Sequence, residues 1–304
     1  MNWDDLRIFL AIVRAGNLSA AAKALQVTQP TVGRRLRILE EDLGARLFDR
    51  LPDGFVPTPA GSDLLPMAEA MEKTAFAVDR HQAAFSQDAV GTVRISVWEI
   101  FAQFLSRHLA ELSDHLPGIE IELDVTHVHR DLSRREADLL IRECLPQNPG
   151  LVARKVASYA FAVYGTRDLV ERYPAAHNES RYELCPWIGY DEEHAYFQNQ
   201  TWLLERLGER RAVVRANDGM VLHELVRQSV GLGVLPCFAG DGDAGLLRLT
   251  PPLEEISRSL YLVVHRDLKR SPAVRAVMDA LIEIYRRETP RLLGRREAVM
   301  SATA

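Results

Sequence analysis

Hydrogen-bonding and basic side chains recur on one face of a predicted helix near the N-terminus. They are Gln29, Thr31, Arg34, Arg35 and Arg37. At the start of an exposed helix, a glutamine can bind adenine through two hydrogen bonds, and an arginine can bind the N7 and O6 atoms of guanine. Gln29 and Arg34 are therefore candidates for base contacts, and Arg35 and Arg37 for phosphate contacts. The chemistry that these residues favour is recognition of DNA in the major groove.

A helix with one apolar face is needed to position these side chains. Apolar residues recur at intervals of four, three and four, namely Val32, Leu36, Leu39 and Leu43. This period predicts a helix whose apolar stripe faces a core. Thr28 is a candidate N-cap, and Pro30 falls in the first turn, where no backbone donor is needed. The alternative is an arginine-rich, solvent-exposed helix in an ordinary helical domain.

A short alanine-rich helix is predicted just before this one. Ser19 is its candidate N-cap, and Gln26 and Val27 are predicted to form the following turn, with Val27 buried in the corner. Two helices joined by so short a turn form the arrangement of a helix-turn-helix DNA-binding motif. The full set of candidate DNA-contacting residues is Ser19, Thr28, Gln29, Pro30, Thr31, Arg34, Arg35, Arg37 and Arg50.

Two short segments after the second helix predict a β-hairpin, or wing. They comprise residues 45–49 and 54–58, with turn-forming residues between them. Arg50 is expected at the edge of the wing, where it would either contact a phosphate or form a surface ion pair with Asp49 or Glu41. Both alternatives remain open at this point.

Residues 6–61 resemble the N-terminal domain of LysR-type transcriptional regulators. The matching stretches read LRIFLAIVRAGNLSAAAKAL, VTQPTVGRRLRILEEDLGARLFDR and VPTPAG. The resemblance implies a winged helix-turn-helix domain over residues 1–61, with the helix-turn-helix at about 18–37, that binds double-stranded DNA. Gly33 stands where the family usually carries serine, and residues 51–53 replace basic residues that many members have in the wing.

A long helix is predicted to follow, with Thr58 as its N-cap and an end near Ser86. A heptad-like seam runs along it through Leu64, Ala68, Met71, Ala75, Val78, Gln82 and Phe85. Such a seam favours pairing with the same helix of a second subunit, and packing on its own chain is the alternative. The resemblance implies that residues 59–88 are the linker helix of a homodimer, that the DNA site is pseudo-palindromic, and that a dimer of dimers forms.

The pattern changes to alternating strands and helices from Gly91 onwards, which predicts an α/β domain with a parallel sheet. Two such units joined by two crossings predict two lobes with a cleft between them. Through ADLLIRE and VRQSVGLGVLP, this region resembles the family's effector domain, which is similar to periplasmic binding proteins. The expected limits are 91–290 for the effector domain, 91–162 and 259–290 for lobe 1, 163–258 for lobe 2, and 291–304 for a flexible tail.

The predicted fold class is α+β overall. A mainly α, winged helix-turn-helix domain at the N-terminus is joined by the long linker helix to the two-lobed α/β effector domain. In open α/β sheets, ligands bind where strands end near helix N-termini. The residues predicted at such positions are Trp98, Glu99, Ile100, Arg142, Asn217, Asp218 and Gly219.

Glu99 is unusual for the family's effector site. The resemblance places a serine or threonine that holds a carboxylate effector close to this position. A glutamate there would repel an anion and favour a cation or a hydrogen-bond donor; alternatively, it only complements the helix dipole. Arg142 either binds an effector or forms a structural ion pair.

Composition and cysteine usage restrict the class of protein further. A net charge of −5 means that DNA binding must depend on a local basic patch. The three cysteines, Cys144, Cys185 and Cys237, are widely spaced. This spacing fits a reducing compartment, and buried thiols are favoured over a redox-sensing pair. With Asp4, Asp5 and Arg7 near the N-terminus and no apolar run of about 18 residues, we expect a cytoplasmic protein with no membrane partner.

Enzyme signatures are absent or incomplete. The glycines at 231 and 233 lack the third glycine of a dinucleotide-binding fingerprint, and there is neither a G-x-S-x-G elbow nor a P-loop. His127 and His129 could bind a metal, but no third ligand lies nearby in sequence, so neither a metal nor another cofactor is expected.

These observations favour a DNA-binding transcriptional regulator, and not an enzyme, that a small-molecule effector controls from between the two lobes. Its expected partners are double-stranded DNA, further copies of itself, the effector and, through the resemblance, RNA polymerase. Two alternatives come from other classes. A regulator–enzyme fusion acting on a small metabolite would need a catalytic constellation, and a solute-binding protein would need an export signal and no helix-turn-helix.

Overall fold

The structure is a computed structural model, and it describes residues 2–52, 54–85, 89–127, 130–208 and 210–295, with the backbone alone for residues 80–85. The chain divides into two compact units, Met1–Gln82 and Ala83–Ala304. The predictions for Asp53, His129 and the side chains of Gln82 and Phe85 lie outside the described residues, as do those for residues 296–304.

The first unit contains the predicted three helices, the hairpin and the long helix. The elements are α1 Trp3–Ala15, α2 Leu18–Ala24, α3 Gln29–Leu43, β1 Phe48–Leu51, β2 Gly54–Pro57 and α4 Pro59–Phe85. Strand β1 begins at Phe48, three residues later than predicted. The reason is that the backbone N–H of Leu47 donates to the Glu40 carboxylate at 2.8 Å, so the chain is still tied to α3 there.

The apolar stripe of α3 is buried as predicted at Val32, Leu36 and Leu39. Its predicted last member, Leu43, is 39% exposed, because the helix ends there and Gly44 turns the chain in the left-handed region. The prediction that Val27 is buried is also wrong, since this side chain is 40% exposed.

The turn between α2 and α3 is a Schellman motif. Gln26 adopts a left-handed conformation (φ 54°), and the N–H groups of Gln26 and Val27 donate back to Lys23 and Ala22. This geometry carries the chain out of the helix at Val27, which leaves that side chain at the surface.

The N-cap of α2 is Asn17 and not Ser19. Asn17 has an extended backbone, and its side-chain oxygen accepts from the N–H of Ala20 at 2.8 Å. Leu18 is already helical, so Ser19 lies in the first turn with an exposed side chain. The prediction failed because two residues with good capping side chains stand close together in the sequence.

The hairpin and the long helix are fixed to the first three elements by close contacts. The N–H of Phe55 donates to the carbonyl of Gly16 at 2.8 Å, and a Cβ on Gly54 would lie 2.4 Å from that carbonyl oxygen. Arg14 forms a two-pronged ion pair with the buried Glu72, with N–O distances of 2.9 and 2.6 Å. As predicted, Thr58 begins α4, and its hydroxyl accepts from the N–H of Gly61.

The second unit contains nine strands and seven helices among its described residues. The strands are β3 Gly91–Val97, β4 Ile119–Val125, β5 Leu139–Arg142, β6 Leu151–Thr166, β7 Ile188–Tyr190, β8 Val214–Ala216, β9 Gly233–Pro236, β10 Leu246–Arg248 and β11 Leu253–His265. The helices are α5 Glu99–Ser106, α6 Leu109–His115, α7 Arg167–Arg172, α8 Gln198–Leu207, α9 Gly219–Arg227, α10 Cys237–Gly240 and α11 Pro272–Leu292. Short 3₁₀ helices lie at Leu132–Arg134, Pro174–His177, Glu179–Leu184 and Leu268–Arg270.

The main sheet is mixed, which corrects the prediction of a parallel sheet. Its strand order is β10-β6-β11-β5-β3-β4, with β9 also pairing with β6. Only β3 pairs in parallel with its neighbours β4 and β5, whereas β6 and β11 pair antiparallel with each of their partners in this sheet. The pairs joined by helical crossovers are parallel, and the two long strands supply the antiparallel part.

Strands β6 and β11 are the two crossings between the lobes. They have 16 and 13 residues, and they pair with each other between Leu151 and Phe161 on β6. The first lobe adds β3–β5, and the second adds β9 and β10 on the far part of β6, together with the separate parallel pair β7–β8. The predicted limits between the lobes fall within these two strands.

The C-terminal helix extends past 290, the expected limit of the effector domain. It continues to Leu292, and the carbonyl of Gly294 accepts from Arg248 at 2.7 Å. Residues 291–294 are therefore a packed part of the second unit and do not belong to a flexible tail. Their contact with Arg248 comes from a strand that is distant in sequence, so no local pattern could have indicated it.

Candidate nucleic-acid interface and ligand cavity

The predicted DNA-contacting residues all lie in the first unit, and most are exposed. Gln29 and Pro30 form the first turn of α3, and Arg34 and Arg37 follow on the same exposed side of the helix. Thr31 is half-buried, and its hydroxyl lies 2.9 Å from that of Thr28. Ser19 and Thr28 are exposed as well.

Thr28 occupies the N-cap position of α3, as predicted, but its side chain makes no capping hydrogen bond. Its hydroxyl pairs with that of Thr31 instead. The first N–H groups of this 15-residue helix are thus not bonded to a capping side chain. Such an exposed helix N-terminus favours a negatively charged group, and a DNA phosphate is one.

The three arginines of α3 have different surroundings. Arg35 lies 3.6 Å from the carboxylates of both Asp4 and Asp5 on α1. Arg37 has only a weak pairing with Glu41, at 3.9 Å on the exposed face. Among the described residues, no carboxylate lies within ion-pair distance of the Arg34 guanidinium. Arg34 is therefore the arginine of this helix that is most available to a base edge.

Among the described residues, Arg50 forms no ion pair with Asp49 or Glu41, the two partners considered from the sequence. Its guanidinium carbon lies 5.7 Å from the centre of the Phe55 ring on the opposite strand. A groove between α3 and the wing has three arginines in its lining, Arg37, Arg46 and Arg50, together with the acidic residues Glu40, Glu41 and Asp49. Arg46 was missed in the sequence, because its place beside the other two depends on how the wing packs against α3.

The second unit has a partly open cavity of about 50 Å³ between its lobes. Its walls come from the first turns of α5, α8 and α9, from β6 and β9, and from the loops that precede these helices. The lining residues are Trp98, Glu99, Ile100, His127, Glu143, Tyr159, Phe161, Tyr190, Phe197, Gln198, Asn199, Gly219, Leu222, Val234, Leu235, Pro236 and Arg258.

Four of the seven predicted effector-binding residues line this cavity, namely Trp98, Glu99, Ile100 and Gly219. Asp218 caps α9 beside them, and its carboxylate accepts from the N–H groups of Met220 and Val221 at 2.8 and 2.9 Å. Asn217 is exposed and does not line the cavity. The strand-end rule thus located the cavity but did not separate the inward-facing residues from the outward-facing ones.

Arg142 is a structural residue in this conformation and does not line the cavity. It is 3% exposed, and its guanidinium donates to the carbonyl and hydroxyl of Ser96 at 3.0 and 2.9 Å, and to the carbonyl of Ile141. Burial lowers its pKa to about 10. The side chain turns towards β3 because it satisfies polar groups of that strand inside the sheet.

Glu99 lies at the centre of the polar part of the cavity. Its carboxylate contacts the Nε2 atom of His127. Burial raises the pKa of Glu99; the charge of the nearby Asp218 acts in the same direction, and a backbone N–H and Arg142 oppose it. Burial lowers the pKa of His127, and His194 adds to the effect.

Glu143 has its own partners on another side of the cavity. Tyr159 donates its hydroxyl hydrogen to the Glu143 carboxylate, and the guanidinium of Arg258 lies 3.5 Å away. Burial nevertheless raises the pKa of Glu143. The pKa of Tyr190 is raised by its burial and then by the charges of Glu99, Glu143 and Asp218.

Aromatic rings form the remaining wall. The ring centres of Trp98 and Phe197 are 5.9 Å apart, those of Tyr190 and Phe197 are 4.8 Å apart, and those of Trp98 and His127 are 5.5 Å apart. The sequence analysis missed Tyr190 and Phe197. The one available signal was the aromatic and acidic run YDEEHAYF between β7 and α8.

The burial of the three cysteines is only partly as predicted. Cys185 and Cys237 are buried, and burial raises the pKa of both thiols, that of Cys237 to about 11. Cys144 is exposed, so the prediction of a buried thiol is wrong there. Within the part of the chain that the structure describes, no three His, Cys, Asp or Glu residues are grouped as metal ligands, and no helix could cross a membrane.

An exposed, arginine-bearing helix-turn-helix and a two-lobed effector domain with a cavity define the class of ligand-responsive regulators that bind DNA. Two family models match this chain. The bacterial regulatory helix-turn-helix protein of the lysR family matches residues 3–62, and the LysR substrate binding domain matches residues 86–286. The chain therefore belongs to the LysR family of transcriptional regulators. This result confirms the fold class and the regulator prediction, and it argues against the regulator–enzyme fusion.

Similar proteins cover the same length. The chain is 28% identical over 291 residues to the Mau operon transcriptional activator of Paracoccus denitrificans, covering 94% of this chain and 97% of the relative. It is 26% identical to the HTH-type transcriptional regulator PtxR of Pseudomonas aeruginosa, covering 96% of each chain. Among solved structures, the Vibrio cholerae virulence activator AphB shares the fold, with a TM-score of 0.60 at 19% identity over 93% of this chain and 99% of that chain.

Proposed function

We propose that this LysR-family regulator binds a pseudo-palindromic site in double-stranded DNA as a homodimer, with Gln29 and Arg34 reading base edges. The observation that supports this most strongly is the first half of α3, where both side chains are exposed and Arg34 has no ion-pair partner among the described residues. A good bidentate contact of this kind contributes about 1–3 kcal/mol of discrimination between bases.

Phosphate contacts come from the residues around this centre. Arg37 and Arg50 are exposed beside the groove between α3 and the wing, and the N-terminus of α3 lacks a side-chain cap. Arg35 contacts phosphate only if it exchanges Asp4 and Asp5 for DNA. Its pair with Asp4 is solvent-exposed and contributes about 1 kcal/mol or less, whereas Asp5 is buried, so Arg35 exchanges Asp4 more readily than Asp5.

The dimer contact that we propose uses only part of the predicted seam of α4. Leu64 and Ala68 pack into the core of their own unit, as the own-chain alternative requires. Met71 and Val78 are 44% and 64% exposed and form an apolar strip further along the helix. A second copy of α4 would cover this strip and set the distance between two copies of α3.

The cavity of the second unit is the effector site in this proposal. A small molecule bound there contacts both lobes, so it stabilises one relative arrangement of them. By thermodynamic linkage, the effector can change the affinity for DNA only as far as it binds one arrangement of the lobes more tightly than the other. We place the linker at residues 59–88 and the effector domain at 91–290. We also infer a dimer of dimers that acts in the cytoplasm and contacts RNA polymerase.

Fluorescence anisotropy on DNA from upstream of the protein's own gene tests this function. The wild type, Arg34→Ala and a control, Arg275→Ala, are compared across a salt series. Arg275 is an exposed arginine of the second unit that pairs with Asp279. The proposal expects Arg34→Ala to lose the preference for the specific fragment and Arg275→Ala to keep it. Equal, sequence-independent binding by all three proteins would contradict it.

A further inference from the structure

Two carboxylates lie at helix N-termini at the cavity of the second unit, Glu99 in its lining and Asp218 beside it. Glu99 is the first residue of α5, and Asp218 caps α9. Helix N-termini generally attract an anionic ligand through their free N–H groups. At α9 the Asp218 carboxylate already accepts from two of these groups, whereas α5 has no capping side chain and carries Glu99 at its first position. A ligand carboxylate would find the donors of α9 occupied and would meet the carboxyl groups of Asp218 and Glu99.

The cations near this carboxylate pair do not neutralise it from within the cavity. Arg258 lies on Glu143. Arg142 is held by Ser96 and Ile141 inside the sheet. His127 contacts Glu99, and burial lowers the pKa of this imidazole, which disfavours its cationic form. Glu99 thus has a weakly basic imidazole as its partner in the cavity lining.

The aromatic wall next to the pair suits a positive charge. Trp98, Tyr190 and Phe197 lie edge to face or tilted against each other, with centres 4.8 to 5.9 Å apart. An organic cation over such rings is attracted by their negative faces, by about 0.5–2 kcal/mol. The Tyr190 hydroxyl also lies close to Gly219, where a Cβ atom would come within 3.2 Å of it. The lack of a side chain at Gly219 thus keeps this corner open.

We propose that the effector is a small organic ammonium ion whose nitrogen binds between Glu99 and Asp218 and against the rings of Trp98, Tyr190 and Phe197. The N–H groups donate to the two carboxylates, and the alkyl part faces the rings. The inference rests on the proposed function, in which this cavity is the effector site. It differs from the carboxylate effector that the family resemblance implied.

The size of the cavity restricts the ligand. Its volume of about 50 Å³ corresponds to roughly three to five water molecules at about 10–15 Å³ each. An ammonium ion with a short alkyl chain fits this space. A larger amine would extend beyond this volume.

Calorimetric titration of the full chain with matched probes tests the inference. The probes are propylammonium, tetramethylammonium, propionate and neutral propanol at millimolar concentration. We expect propylammonium to bind, and propionate and propanol not to bind. Tetramethylammonium has no N–H donor, so it reports how much of the affinity comes from the rings alone. Binding of propionate in preference to propylammonium, or no binding of either ammonium ion, would overturn the inference.

Two isosteric variants and one control variant test whether propylammonium binds at Glu99 and Asp218. We expect Glu99→Gln and Asp218→Asn to weaken propylammonium binding by about tenfold or more, because each removes a charge-assisted hydrogen bond. Asparagine is also a good N-cap, so the second variant keeps α9 intact. The control is Glu224→Gln on the exposed face of α9, where Glu224 bonds Arg227 and Gln228. Equal affinities in all three variants and the wild type would contradict the site.

The anisotropy assay separates a failure of this inference from a failure of the proposed function. If specific DNA binding is present and no ammonium ion binds, the effector class is wrong and the regulator proposal stands. If DNA binding is unspecific while propylammonium binds through Glu99, the ligand site stands and the DNA-reading proposal fails.

Discussion

Glu99, the first residue of α5, lies close to Asp218, the N-cap of α9, and its pKa is raised by burial and then by the Asp218 charge. The two helices follow strands of different lobes, so the contact joins the lobes. Because burial and a neighbouring negative charge both disfavour its ionised form, Glu99 keeps its proton to a higher pH than an exposed glutamate does.

The first prediction concerns the pH dependence of ligand binding. The groups that face Glu99 are Asp218 on α9, His127 after β4, Arg142 on β5 and Tyr190 on β7. An ammonium ion favours the ionised form of Glu99, whose pKa is raised in the free protein, so binding releases a proton. Affinity should therefore rise as pH rises through that raised pKa, and it should level off above it.

Titrations with propylammonium from mildly acidic to mildly basic pH measure this dependence. In Glu99→Gln the dependence should be much flatter, because the titrating carboxyl is gone. Affinity that falls with increasing pH in the wild type would show that the bound form requires a protonated carboxyl, contrary to the account.

The second prediction concerns two glycines of the DNA-binding unit. A Cβ on Gly33, inside α3, would meet only Leu18 at 3.7 Å, which is ordinary van der Waals contact. Gly33→Ala should therefore raise the free energy of unfolding by about 0.5–1 kcal/mol, because alanine loses less backbone entropy in a helix. Gly33→Ser restores the residue expected from the family and should be tolerated.

Gly54→Ala provides the contrast. Gly54 has φ 143°, and its Cβ would lie 2.4 Å from the carbonyl oxygen of Gly16, so the wing must shift. Urea unfolding followed by circular dichroism should show a clear loss of stability for this variant. If Gly33→Ala destabilised the protein as much as Gly54→Ala, the described packing between α3 and α2 would be wrong.

The third prediction concerns the ion pair between Arg14 and Glu72. Glu72 is buried, whereas Arg14 is 41% exposed and therefore partly screened by solvent. Arg14→Ala leaves a buried carboxylate without this partner and should lower the free energy of unfolding by about 1–2 kcal/mol, less than for a fully buried pair. Arg7→Ala, which removes the exposed pair with Asp4, is the control and should have little effect. Similar unfolding midpoints for the two variants would contradict this assignment.

The sequence predicted α3 well because several local signals agree there. Thr28 and Pro30 mark its start, Gly44 marks its end, and Val32, Leu36 and Leu39 repeat with helical period. Local signals decide less where two neighbouring residues could fill the same structural role. Asn17 and Ser19 are both good caps, and only the backbone of the folded chain selects Asn17. Similarly, nothing local indicates that Gln26 adopts a left-handed conformation and exposes Val27.

The sequence predicted only some of the residues that line the cavity, and the reason is physical. Trp98, Glu99 and Gly219 follow from the rule that ligands bind where strands end near helix N-termini. Tyr190 and Phe197 reach the same space through the loop between β7 and α8, whose position depends on long-range strand pairing. Alternating hydrophobicity identifies strands but not their direction, so the antiparallel course of β6 and β11 was not predictable from it.

The central claim is that α3 reads a base edge through Arg34, and a double-mutant cycle on DNA measures it most directly. Once footprinting has defined the site, each guanine in the two half-sites is replaced in turn by 7-deazaguanine, which lacks the N7 acceptor. These fragments are titrated with the wild type, Arg34→Ala and Arg275→Ala. The account predicts one position in each half-site at which the base change weakens binding by the wild type and Arg275→Ala but not by Arg34→Ala. If every replacement affects all three proteins equally, Arg34 does not read a guanine and the claim is wrong.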